Sequence, residues 1–279
     1  MLAATFLFSL MAVCVKRAGE SGLPTAEIVM ARGLITLALS SIMLRRAGIS
    51  PWGVHRPLLL ARGLAGVCGL SCFYYSVTHL PLADVSVLHK VNPVLTSLFA
   101  ALALGEGLHA SDFVAGGMAV LGVILVARPS FIFEGASLEL FPVAIALLGA
   151  CFSSIAYVIV RQLRKTDHPL VVVFFFPLVA VPACLPFLLP VAVWPRGEQW
   201  LYLLGVGVFT QLAQVEMTKG LHAERAGRAM AMSYVQILFA TAWGLLLFGE
   251  RPQLLAAFGA VIIFSATLLV LRARRSVVS

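Results

Sequence analysis

The sequence predicts an all-α, polytopic membrane protein with ten transmembrane helices, and three observations lead to this fold class. Apolar residues occupy 61% of the 279 positions, whereas charged residues occupy only 11%. Soluble domains usually carry about 25% charged residues. Apolar runs near the roughly 20 residues that a bilayer-spanning helix requires follow one another along almost the whole chain. The segments between these runs are short, so we expect no soluble domain.

Charge clusters, prolines and glycines mark the ends of the predicted spans. The first run is short for a complete span and lacks the basic leader of a cleavable signal peptide, so we expect none to be removed. The ten spans are placed at residues 2–16, 25–44, 57–79, 82–104, 109–127, 139–160, 169–190, 199–221, 226–248 and 252–271.

The distribution of lysine and arginine predicts that both termini lie in the cytoplasm. Cytoplasmic loops of membrane proteins are enriched in these residues. With the N-terminus inside, eleven basic residues fall on the cytoplasmic side: Arg45, Arg46, Arg56, Arg161, Arg164, Lys165, Arg225, Arg228, Arg272, Arg274 and Arg275. Five fall outside: Lys16, Arg17, Arg128, Arg196 and Arg251.

The chain also contains an internal repeat. Residues 101–128 align without gaps with residues 245–272, at an offset of 144, and each stretch carries a Gly-Glu pair and an arginine 22 positions after the glutamate. We therefore divide the chain into halves at 1–133 and 134–279. Because each half holds an odd number of spans, the two halves are expected to be inverted. Inverted repeats are typical of transporters that work by alternating access, although channels and inert scaffolds also contain duplicated halves.

Several of these motifs resemble one family of carriers. The "LGE" ending of span four, Arg32 within "AEIVMARGLITLAL", and the stretch "FYYSVTHLPLADVSVLHKVNPVLTSLFAALALGE" resemble EamA-type members of the drug/metabolite transporter superfamily. The resemblance covers essentially the whole chain and is closest to bacterial exporters of the YddG type. It implies a ten-span carrier with a central cavity that exports amino acids and related metabolites. Residues 62–133 also resemble nucleotide-sugar-transporter-like carriers of the same superfamily, so the substrate stays open.

Span four contains polar side chains inside an apolar helix. His89, Asn92 and Pro93 follow i, i+3, i+4 spacing and share one face, while Lys90 lies about 100° away. Pro93 removes a backbone hydrogen bond to the carbonyl of residue 89 and predicts a kink. Polar groups in hydrocarbon are costly unless they pair or face water. We therefore expect this face to line a transport cavity, with a buried structural His89–Lys90 pair as the alternative.

Further cavity residues are predicted in the other inner spans. Ser233, Tyr234 and Gln236 occupy the positions in span nine that correspond to the polar residues of span four. The remaining candidates are Tyr74 in span three, Tyr157 in span six, and Gln211, Gln214 and Thr218 in span eight. Pro93, Arg32, Glu106 and Glu250 are expected to have gating or structural roles. Glu216 and Lys219 are spaced as a local ion pair.

Other function classes find little support. The sequence contains no cluster of catalytic residues and no P-loop, so we expect neither an enzyme nor an ATP-driven pump. The five cysteines lie inside apolar runs without zinc spacing, so we expect no metal and no cofactor. The net charge of +8 is spread over short loop clusters and does not indicate nucleic-acid binding. The expected partners are a small-molecule substrate and the lipid bilayer of the inner membrane, with the protein a monomer or homodimer. Organophosphates, nucleotide-linked solutes and cationic drugs are alternative substrates, and a channel or sensor is the alternative class.

Overall fold

The structure, a computed structural model, describes residues 1–80, 85, 88–107, 110–127, 130–133, 139–190, 192–248 and 254–273. Within these ranges the chain is α-helical with short connections and contains no strand. The main helices are α1 (Leu2–Glu20), α2 (Thr25–Arg46), α3 (Arg56–His79), α4 (Asn92–Leu104), α5 (Ala110–Ala127), α6 (Leu140–Leu163), α7 (Pro169–Leu188), α8 (Gln199–Ala223), α9 (Ala226–Ala231), α10 (Val235–Phe248) and α11 (Leu254–Ala273).

Six helical segments of the described chain are long and apolar enough to cross a membrane. They are Leu2–Glu20, Thr25–Arg46, Arg56–Phe73, Leu140–Leu163, Pro169–Leu188 and Ala226–Leu247. Two shorter apolar helices, Asn92–Leu104 and Phe113–Val126, fall within further predicted spans. The all-helical membrane fold is therefore confirmed, while the count of ten spans and their orientation stay predictions.

Helix boundaries recur at the repeat offset. Helices α2 and α7 begin at Thr25 and Pro169, 144 positions apart, and α3 and α8 end at His79 and Ala223, also 144 positions apart. The same offset relates the ends of α4 and α10 and the beginnings of α5 and α11. The secondary structure thus repeats along the chain far beyond the two stretches whose sequences align.

Two predicted spans are not continuous helices. In span four, Lys90 and Val91 form a turn, and α4 begins only at Asn92 with Pro93 in its first turn. We predicted a kinked helix over 82–104, but the proline begins a helix here, at a position where its missing N–H would have no helical partner. In span nine, a 3₁₀ turn at Met232–Tyr234 separates α9 from α10. These two interruptions lie at corresponding repeat positions.

The chain forms two compact units, each built from both sequence halves. Unit one comprises Met1–Val67 and Ile159–Ala223, and unit two comprises Cys68–Val158 and Glu224–Ser279. This grouping by contact does not test the division into 1–133 and 134–279, which stays a prediction. In unit one, α1 packs on α8, and α2 packs on both α7 and α8. Glycine allows the close approach of α2 and α8, because a Cβ at Gly207 would lie 2.3 Å from Ile35 Cγ2.

Unit two is held together by two close helix pairs. Helices α5 and α11 meet at Gly122 and Gly259, where a Cβ on either glycine would lie 2.6–2.7 Å from the other's carbonyl oxygen. Helices α4 and α9 meet at Gly227, where a Cβ would lie 1.9 Å from Ser97 Oγ. Small residues of this kind allow close backbone contact between helices in membranes. The α4–α9 contact brings the two interrupted spans together.

Candidate functional site

Two hydrogen bonds join the interruptions of spans four and nine in unit two. The Lys90 ammonium donates to the backbone carbonyl of Ser233 over 3.4 Å, and the Tyr234 hydroxyl donates to the carbonyl of Lys90 over 3.0 Å. Lys90 and Tyr234 occupy corresponding positions 144 residues apart. Each side chain thus reaches the backbone of the other interruption. Because the helices are broken at these points, their carbonyls are available as acceptors.

His89 and Asn92 place polar atoms beside this junction. The His89 ring packs edge to face against Phe73 with centroids 4.6 Å apart, and its Nε2 atom faces Gly149, where a Cβ would lie 3.5 Å away. His89 Nε2 and Asn92 Oδ1 are both buried without a hydrogen-bond partner in the described protein. An unsatisfied buried polar atom costs about 1–3 kcal/mol. These two atoms are therefore candidates for binding a solute.

The three predicted residues of span nine differ in their surroundings. Tyr234 is only 1% exposed, and its ring belongs to an apolar cluster: Ala119, Val123, Ile263 and Ala266. Ser233 and Gln236 are half-buried. Ser233 contributes its backbone carbonyl through the bond to Lys90. The structure therefore brings Lys90, Ser233 and Tyr234 together, but it places the phenol ring of Tyr234 in the core.

The span-eight candidates lie in unit one. The Ser40 hydroxyl donates to Gln211 Oε1 over 3.0 Å, and Gln211 is almost completely buried. Gln214 Oε1 accepts from the Arg62 guanidinium over 3.4 Å. Thr218 is buried, and its hydroxyl has no hydrogen-bond partner within the described residues. Of these three residues, Gln214 contacts a buried charge.

Arg62 is not among the residues that the sequence predicted for the site. It is 3% exposed, and its guanidinium carbon lies 4.7 Å from the centroid of the Phe176 ring. The guanidinium carbon of Arg32 lies 5.9 Å from the same centroid. The sequence contained the signal, because a charged residue within a predicted span is a functional candidate by default. Its position only six residues into α3 made it resemble a residue at the membrane interface.

The remaining predicted residues are placed as follows. Glu106 accepts the N–H of Ala226, the first residue of α9, over 3.0 Å, so its carboxylate lies at the positive end of that helix. Pro93 is buried in the first turn of α4, and Tyr157 is half-buried in α6. Tyr74 falls in α3, but its side chain lies outside the described part of the structure, as does Glu250 entirely. Glu216 and Lys219 form the expected ion pair at 2.7 Å.

The family assignment rests on a match that covers nearly the whole chain. Residues 1–128 and 140–272 each match the EamA-like transporter family. The chain belongs to this family. This transporter is 34% identical to the Pseudopaline exporter CntI of Pseudomonas aeruginosa over 98% of its own length and 94% of that protein. It is 26% identical to Solute carrier family 35 member G1 of Homo sapiens, over 95% of its own length and 76% of that protein.

A solved structure confirms the fold independently. This transporter superposes on a known crystal structure with a TM-score of 0.85. The superposition covers 98% of this chain and 96% of the other chain, and 20% of the residues are identical. Family membership and the apolar helices identify a multi-pass inner-membrane protein that transports small molecules.

Proposed function

We propose that this transporter exports small amphipathic metabolites, most specifically amino acids with aromatic or apolar side chains. The observation that supports this proposal is the junction of spans four and nine. It combines the Lys90 ammonium with two buried polar atoms, His89 Nε2 and Asn92 Oδ1, that have no hydrogen-bond partner in the described protein. Such groups inside a membrane protein usually mark a solute pathway.

The chemistry of the junction suits a zwitterion. The Lys90 ammonium attracts a carboxylate, and Asn92 Oδ1 accepts a hydrogen bond from an α-ammonium group. His89 Nε2 donates or accepts, according to its tautomer. The ring of Phe73, packed against His89, supplies an apolar surface beside these groups. A solute with both charges and an apolar side chain would satisfy every group named here.

The repeat supports an alternating-access mechanism. The family matches the chain twice, at residues 1–128 and 140–272, and helix boundaries recur 144 positions apart. We propose ten spans in two inverted halves, 1–133 and 134–279, with both termini in the cytoplasm. Helix breaks at corresponding positions are the usual place for substrate sites in such carriers. The name of the related Pseudopaline exporter supports the outward direction.

A survey of efflux from liposomes tests this function. The purified protein is reconstituted into liposomes loaded with an amino-acid mixture, and the solutes that leave are measured by mass spectrometry beside protein-free liposomes. We expect selective loss of aromatic and apolar amino acids. If organic phosphates or cationic drugs leave while amino acids stay, the transporter class holds and the substrate assignment is wrong.

A further inference from the structure

One threonine of α4 carries a buried hydroxyl that no other described group satisfies. Thr96 is 0% exposed, and its Oγ1 atom has no hydrogen-bond partner within the described residues. Inside a helix, a threonine hydroxyl commonly donates to the carbonyl three or four residues earlier. Thr241 in α10 bonds in this way, to the carbonyl of Ile237 over 2.9 Å. Thr96 departs from this pattern.

Neighbouring hydroxyls occupy the two carbonyls that Thr96 would use. The Ser154 hydroxyl of α6 donates to the carbonyl of Asn92 over 3.1 Å. The Ser97 hydroxyl donates to the carbonyl of Pro93 over 3.0 Å. Each of these carbonyls also accepts a helical N–H, because both belong to the first turn of α4. A carbonyl oxygen has two lone pairs, so both acceptors are fully used and the Thr96 hydroxyl stays available.

Thr96 continues the polar face of the candidate site. Asn92 and Thr96 are one helical turn apart, so their Cβ atoms are about 5–6 Å from each other on the same face of α4. Asn92 Oδ1 and His89 Nε2 are likewise buried without a hydrogen-bond partner in the described part of the chain. Small residues of α6 lie beside them, since a Cβ at Gly149 would be 3.5 Å from His89 Nε2. The available polar atoms therefore extend from the junction of spans four and nine to one turn inside α4.

We propose that Thr96 selects solutes with a second hydrogen-bonding group, about one helical turn from the charged head that the junction binds. This inference rests on the proposed function, in which Lys90, His89 and Asn92 bind the amino and carboxylate groups. The phenol of tyrosine lies at a comparable distance from its α-carbon, and its hydroxyl both donates to and accepts from a threonine hydroxyl. Phenylalanine would leave Thr96 Oγ1 buried and unpaired, and a polar site rejects an analogue that lacks a hydroxyl for this reason. The transporter should therefore prefer tyrosine to phenylalanine.

The Thr96 hydroxyl is closed off from solvent in this structure, so a solute reaches it in a more open conformation. The proposed alternating-access mechanism supplies such a conformation. In the closed protein without solute, a buried hydroxyl that lacks a partner is destabilising. Thr96→Val, which keeps the shape of the side chain, should therefore raise the unfolding midpoint of the solute-free protein by a few degrees. A lowered midpoint would show that the hydroxyl has a structural partner and would overturn the inference.

Binding of paired probes tests the selection without requiring transport. The protein is placed in phosphatidylcholine nanodiscs, and the Kd of each probe is measured from the shift of the thermal unfolding midpoint. The probes form three pairs that differ by one hydroxyl: tyrosine and phenylalanine, tyramine and phenethylamine, and 4-hydroxyphenylacetate and phenylacetate. We expect tyrosine to bind roughly tenfold more tightly than phenylalanine, as the loss of one buried hydrogen bond implies.

Substitutions assign the preference to Thr96. Thr96→Val should reduce the preference for the hydroxylated probe to about twofold or less. The matched control is Thr241→Val, which removes a hydroxyl already bonded within α10 and should keep the wild-type preference. Ser154→Ala is a second variant, because it frees a lone pair of the Asn92 carbonyl for the Thr96 hydroxyl. It should also lower the preference, although it removes no group that binds the solute.

Two binding results would overturn the inference: no hydroxylated probe binds more tightly than its partner, or Thr96→Val keeps the wild-type preference. If Thr96→Val does not fold, Ser154→Ala decides, and an unchanged preference in that variant overturns the inference.

The outcome is distinguishable from that of the amino-acid assignment. If tyrosine and phenylalanine bind equally and both leave loaded liposomes, the proposed function stands and selection by Thr96 fails. If neither amino acid binds or is exported, but another pair shows a preference that Thr96→Val removes, the proposed substrate is wrong and selection by Thr96 stands.

Discussion

Two substitutions of Tyr234 test whether its ring lies in the protein core or lines the transport cavity. Its side chain is 1% exposed, packs in the apolar cluster of unit two, and donates to the Lys90 carbonyl over 3.0 Å. Tyr234→Phe keeps the ring and removes one hydrogen bond, which should cost about 1 kcal/mol. Tyr234→Ala removes the ring from a packed core and should cost about 3–5 kcal/mol. The large gap between the two variants follows from the burial of the ring.

The comparison is made by thermal unfolding in nanodiscs at matched lipid composition. A change of about 1 kcal/mol shifts the unfolding midpoint by roughly 2–4 °C. The midpoint of Tyr234→Phe should therefore lie a few degrees below that of wild type, and the midpoint of Tyr234→Ala should be lowered at least three times as much. Equal midpoints for the two variants, together with altered solute selectivity in Tyr234→Ala, would refute this reasoning. That result would mean that the ring lines a cavity, as the sequence pattern alone suggested.

Two further substitutions test the packing of each unit. In unit one, the Asp167 carboxylate accepts hydrogen bonds from the N–H groups of Val54 and His55 at 2.6 and 3.2 Å. Asp167→Ala should therefore destabilise the protein by about 2–5 kcal/mol, whereas Asp167→Asn, which keeps one acceptor oxygen, should cost less. Equal unfolding midpoints for the two variants would contradict this role. In unit two, Gly227→Ala places a Cβ against Ser97 and should lower the unfolding midpoint by the equivalent of about 1–3 kcal/mol. An unchanged midpoint would show that α4 and α9 are less closely packed.

The sequence predicted the helices well because charge clusters and glycines end apolar runs sharply. Span three, predicted at 57–79, is the helix Arg56–His79. The break in span four was missed because a proline in an apolar run is compatible both with a kink and with a helix start. The choice depends on whether tertiary contacts, here the bonds between Lys90 and span nine, replace the lost helical bonds.

The sequence predicted which residues to consider for the site but not how each of them is placed. Periodicity identified the polar face that carries His89 and Asn92, but it could not show that their atoms would lack partners. Periodicity also could not distinguish a cavity from a core for Tyr234, because both lie on the inner face of a span. Arg62 carried a signal in the sequence as a charged residue within a predicted span, but its packing against Phe176 from another helix could not be predicted.

We propose that Lys90 contacts the solute. The most direct test measures efflux from loaded liposomes that contain Lys90→Met, beside liposomes that contain the matched variant Lys219→Met. Lys219 is an exposed lysine paired with Glu216, so its loss should change the efflux rate less than twofold. Lys90→Met should slow efflux at least about tenfold, since a charged hydrogen bond to the solute is lost, while the variant still elutes as a folded protein. Wild-type efflux by folded Lys90→Met would contradict the account.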